Sequence, residues 1–170
     1  MGRVIRSATS GGISPSITQR CGSVTSKIPA IAYNTPMTLD DELSQIETAV
    51  NECEKELQAG TLDADAIVSQ IRSVSNPEAM IAKGGEWIAL LMGKLDKLKI
   101  VRLKELKHQR PDDSRINTLG TKTVKCYLAL FNINASISES LVSPDLKAGV
   151  QAENQKVRDN VEKLFGGLFQ

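Results

Sequence analysis

The stretch TLDDELSQIETAVNECEKELQAG, residues 38 to 60, decides the fold. Thr38 can cap a helix N-terminus, Asp40, Asp41 and Glu42 crowd the first turn where the helix dipole favours acids, and Gly60 supplies a stop. Between them Leu39, Leu43, Ile46, Val50, Cys53 and Leu57 recur at alternating intervals of four and three. That is the spacing of a heptad seam, and its narrowness predicts one principal helical neighbour. We read it as a self-association seam.

Working outward, the same grammar repeats. A second Thr-Leu-Asp begins at Thr61 and predicts a short helix to about Ser75. Asn76 and Pro77 open a long helix that must end by Arg110, because Pro111 follows. The Gly84–Gly85 pair inside it predicts a kink. Asp112 and Asp113 start another helix, with Ile116, Leu119, Thr123, Cys126, Leu130, Ile133 and Ile137 again three and four apart. Ser143 and Pro144 open the last, whose stripe is Leu146, Val150, Val157, Val161 and Leu164. Gly166 and Gly167 stop it, leaving Leu164, Phe165, Leu168 and Phe169 as an apolar C-terminal tip that either folds back onto the bundle or docks into a neighbour. With no strand pattern anywhere, the reading is an all-α bundle of about five helices over residues 38–170.

Upstream the grammar fails. Residues 1–37 are rich in Ser, Thr and Gly, hold three prolines, and carry Arg3, Arg6, Arg20 and Lys27 without one acid. We read an irregular basic arm or tail: a plain flexible tail, or an arm that docks on a neighbour, touches nucleic acid, or acts as an address. Its acid-free, Ser-rich composition has the character of an organellar import segment and, loosely, of a bacterial export signal.

The net charge of +1 gives no overall pull toward phosphate or membrane, but it conceals an asymmetry. Residues 38–59 carry seven acids against Lys55, and residues 94–110 carry seven bases against Asp96 and Glu105. On a helical wheel of residues 88–110, Lys97, Lys104, Lys107 and His108 gather opposite Ile88, Leu91, Leu95, Leu98 and Leu106, with Lys94 at the margin. Such near-cancelling segments are expected to meet, within one chain or between copies. The competing readings of this face are a plain solvated surface and a holder of nucleic-acid phosphates. Aromatics make up only 4% of the chain, which counts against a base-stacking surface.

Chemistry is excluded more readily than assigned. One histidine rules out a two-histidine metal site within a chain, and no phosphate-binding loop or calcium loop is present. The three cysteines, Cys21, Cys53 and Cys126, lack metal-ligand spacing and suit a reducing compartment such as the cytoplasm. No apolar run reaches the roughly 20 residues of a membrane span. The sequence therefore predicts a non-enzymatic helical assembly protein without cofactor or metal, whose partner is itself or another helical protein. A nucleic-acid-binding helical protein and an exported or imported effector are the competing readings.

Overall fold

A computed structural model describes residues 37–169. The arm, with Arg3, Arg6, Arg20, Lys27 and Cys21, lies outside the described residues. Within them every regular element is a helix. The expected five are present, with the third divided in two, which makes six segments: α1 Leu39–Gln58, α2 Ala64–Arg72, α3 Pro77–Lys97, α4 Ile100–Gln109, α5 Ser114–Leu141 and α6 Pro144–Phe165.

The caps explain why the helices begin where they do. Thr38 and Asp41 form a reciprocal capping box, the Asp41 N–H donating to Thr38 Oγ1 at 3.2 Å and the Thr38 N–H to the Asp41 carboxylate at 3.2 Å. These bonds, first that from the Thr38 hydroxyl, hold the Asp41 carboxyl below the usual aspartate range. Asn76 Oδ1 accepts from the Glu78 N–H ahead of Pro77, and Asp113 Oδ1 accepts from Arg115 and Ile116. For α2 the cap is Asp63, not Thr61, whose hydroxyl instead donates to the Glu56 carbonyl as the α1 stop. Gly60 follows α1 with φ of 69°, a left-handed conformation that costs glycine nothing.

Helix α5 packs against all five other helices and is the axis of the fold. All seven residues of its three-and-four spacing, Ile116 through Ile137, are buried. The α1 seam is used in the same way. Leu43, Ile46, Val50 and Cys53 are buried and Leu39 and Leu57 half-buried against the chain's own core. The side chains expected to join two copies are therefore covered within one.

Two expectations about α3 need correction. The helix runs unbroken through Gly84 and Gly85, and the break comes at Lys99, which takes the left-handed conformation with φ of 48°. Gly84 serves close packing. A Cβ there would stand 2.5 Å from Leu141 Cδ1, whereas one at Gly85 would meet nothing within 4 Å. Gly85→Ala is accordingly expected to stabilise by up to about 1 kcal/mol through helix propensity alone. Gly84→Ala should forfeit that gain, because Leu141 must move. Paired urea melts measure the contrast.

The reason for the break lies in the core. Leu91, Leu95 and Leu98 are buried on one side of α3. Continued without interruption, the helix would carry Ile100 about 200° and Leu103 about 140° round from Leu98, away from that side. The single left-handed residue resets the phase, and Ile100, Leu103 and Leu106 are all buried. Trp87 is half-buried against the core, as its place beside the apolar side predicts.

Candidate functional site

The acidic face of α1 does meet basic residues, though mostly not the expected ones. Glu42 takes Arg102 of α4 in a two-pronged contact, Nε to Oε1 at 2.8 Å and Nη2 to Oε2 at 3.1 Å. Glu56 pairs with Lys94 of α3 at 2.5 Å. Asp40 and Glu47 share Arg115, each at 3.3 Å, and Glu54 pairs with Lys122 at 3.5 Å. Of the predicted stripe only Lys94 is engaged in this way. Arg102 falls on the apolar side of the wheel, from which its guanidinium reaches out to pair, and Arg115 and Lys122 belong to α5, outside the basic segment.

The two-pronged Arg102–Glu42 contact ties α4 to α1. Arg102→Met should lower the urea midpoint, and Arg102→Lys should recover less than half of the loss. A single ammonium cannot span both carboxylate oxygens.

The rest of the stripe has other partners. Lys107 Nζ donates to the Pro111 carbonyl at 2.7 Å, and His108 Nδ1 lies 2.7 Å from the Lys104 carbonyl, so Nδ1 carries a proton. Lys104 Nζ stands 5.7 Å from the Phe165 ring centroid, a cation–π contact between α4 and α6. Lys97 has no ion pair among the described residues.

The C-terminal tip is folded onto its own chain. Phe165 and Phe169 are buried, Leu168 is half-buried, and only Leu164 stays exposed. Thr121 Oγ1 donates to the Phe169 carbonyl at 3.1 Å, and the Phe169 ring lies over Gly120 of α5. Glycine at that one position of α5 gives the ring its seat.

The feature that the sequence did not disclose is a groove of about 630 Å³ at the α3–α4 joint. Its walls are Met92 and Leu95 of α3, Ile100 and Val101 of α4, Tyr127 and Phe131 of α5, and Val157 of α6. Met92, Val101 and Val157 are 52%, 62% and 43% exposed, unusual for apolar side chains grouped around one concavity. The apolar surface continues beyond it, with Ile81 exposed on the Met92 side of α3. On α6 the stripe read from the sequence is mostly uncovered. Leu146, Val157 and Leu164 form an exposed apolar ridge interrupted by Glu153 on the same side, Val150 is half-covered, and only Val161 is buried. The ridge spans about 27 Å. Around the groove Asp96 lies 3.6 Å from Lys99, and Arg102 3.1 Å from Glu105, so the rim carries both signs already paired.

Among the described residues no helix is long and apolar enough to cross a membrane, and no three His, Cys, Asp or Glu side chains cluster to hold a metal ion. In comparisons with known proteins, no family model, no curated protein and no solved structure matches the chain.

Proposed function

We propose that this chain is a non-enzymatic assembly subunit that pairs with a second copy of itself through the groove at the α3–α4 joint. The observation that carries the reading is the pairing of an exposed apolar concavity with an exposed apolar ridge on one molecule. Val157 belongs to both, which suits a two-fold contact in which each α6 ridge enters the other copy's groove. Charge supports the same occupant. Helix α6 carries four acids, Asp145, Glu153, Asp159 and Glu162, and four bases, Lys147, Lys156, Arg158 and Lys163. A neutral, mixed-sign helix meets a neutral, mixed-sign rim without repulsion, whereas a polyanion would gain little there.

Sedimentation equilibrium across a range of protein concentrations tests this. The wild type should rise toward twice the chain mass, and Val101→Glu should stay at the single-chain mass with unchanged helicity. A glutamate on an exposed side chain spares the fold but would be buried without a partner in the pairing. A wild type that is monomeric throughout, or a variant that associates equally well, would sink the proposal.

A second reading keeps one specific support. Lys97, Lys107 and His108 have no carboxylate partner among the described residues, so this basic face is not consumed by the acids of α1. Tight, salt-sensitive binding of a single-stranded oligonucleotide, lost in Lys97→Glu/Lys107→Glu, would put nucleic-acid binding first.

A further inference from the structure

The α5 wall of the groove carries two polar side chains, Tyr127 and Asn134, with Phe131 between them. They stand seven positions apart, about 10 Å along the helix. Neither is satisfied among the described residues. Asn134 Oδ1 is buried without a hydrogen-bond partner, and the Tyr127 hydroxyl has none either. A buried acceptor left unpaired is costly, so an orphan that lines a cavity points to a donor on whatever fills it. The last torsion of asparagine is broad, which lets the carboxamide turn its oxygen toward an occupant.

The ridge of α6 repeats the interval. Glu153 and Asn160 lie on the same side as Leu146, Val157 and Leu164, again seven positions apart, and both are exposed. Lys156 engages one Glu153 oxygen, Oε1, at 2.6 Å. Asn160 has no hydrogen bond among the described residues.

Resting on the self-pairing proposed above, we infer that these four side chains set its register and direction. The Tyr127 hydroxyl donates to the carboxylate of the second copy's Glu153, and the second copy's Asn160 donates to Asn134 Oδ1. Symmetry repeats both contacts in the other half. The opposite direction would set Asn134 against Glu153, whose carboxylate has no proton to give the orphan oxygen. Chemistry thus lays the second α6 parallel to α5. Within one chain α6 is antiparallel to α5, with Asn154 against Glu139 and Arg158 against Asn132. The two copies of α6 are then antiparallel to each other. A two-fold axis crossing α6 at a right angle near Val157 requires the same arrangement, and Val157 lies between Glu153 and Asn160.

The test mixes two full-length chains, both Cys21→Ser and both keeping the buried Cys53 and Cys126. One carries Asn134→Cys and the other Asn160→Cys. Under mild oxidation a disulfide-linked species of twice the chain mass should form. Linkage should fall at least tenfold when Glu153→Cys replaces Asn160→Cys, because that thiol sits about 10 Å out of register. In chains without added cysteines, Tyr127→Phe and Asn160→Ala remove only groups that the folded chain leaves unpaired. Each should weaken self-association about tenfold in sedimentation equilibrium, since the symmetric pair loses two hydrogen bonds. A wild type that is monomeric at every concentration would remove the self-pairing and this register with it. A wild type that dimerises, while Asn134→Cys links to Glu153→Cys in preference or to neither position, would overturn the register alone. So would unchanged association in both Tyr127→Phe and Asn160→Ala.

Discussion

Leu130→Ala should cost about 3 to 4 kcal/mol of stability, while Leu146→Ala should change it by no more than about 0.5 kcal/mol. Both leucines lie on helical stripes of the same spacing, and their residue types are identical. What separates them is position relative to α5. Leu130 is 0% exposed on the helix that touches every other helix, so truncation leaves a cavity that no single neighbour can relax into. Leu146 is 59% exposed on α6, which packs chiefly on α5 and leaves its outer edge in water. Urea denaturation of the two variants at a concentration that keeps the protein monomeric measures the contrast. Equal losses would mean that α6 is covered in the folded chain.

Gly120→Ala should destabilise the wild type by about 2 kcal/mol yet stabilise a Phe169→Ala chain by up to about 1 kcal/mol. A Cβ on Gly120 would stand 2.1 Å from Phe169 Cδ1, so the ring must leave its seat. The loss is bounded by what docking of the terminal turn contributes, because the ring sits at the end of the chain and can swing out. Once the ring is gone, the methyl group has space and only its helix propensity remains. The reversal of sign, read from a double-mutant cycle in thermal or urea unfolding, is the signature of this contact. Losses of the same sign and size in both backgrounds would show that Phe169 is not seated there.

These contrasts also show what the sequence could disclose. Helix starts were legible because caps are local chemistry. Thr38, Asn76 and Asp113 act on N–H groups two or three residues away, and no distant part of the chain is needed to interpret them. Ser143 occupies the cap position of α6, where its hydroxyl hydrogen-bonds to Asp145 and holds that carboxyl below the usual range. The α5 spacing translated into burial because the helix is surrounded. The same pattern on α6 did not, since periodicity marks a face without saying whether anything covers it.

The break at Lys99 had no glycine or proline to announce it. Lysine in the left-handed region costs about 1 kcal/mol or more, and the compensating burial of Ile100 and Leu103 is a tertiary effect. Its one trace in the sequence is that Ile100 and Leu103 fall off the Leu91–Leu95–Leu98 stripe. Gly84 and Gly85 look equivalent in the sequence and differ only in which side of α3 meets Leu141. Of the α1 acids, Glu42 and Glu56 find cations of the basic segment, Arg102 and Lys94, whereas Asp40, Glu47 and Glu54 take Arg115 and Lys122 of α5, which the charge asymmetry did not point to. The groove was invisible as well, since its walls come from four helices and its opening from the reset at Lys99.

In the proposed pairing the groove and the α6 ridge bind each other across two copies. Hydrogen exchange followed by mass spectrometry, at low and at high protein concentration, tests it most directly. Raising concentration should slow exchange in peptides covering residues 92–105 and 146–164, leave α2 unchanged, and have no effect in Val101→Glu. Uniform exchange at every concentration, or protection confined to peptides outside the groove and ridge, would contradict it.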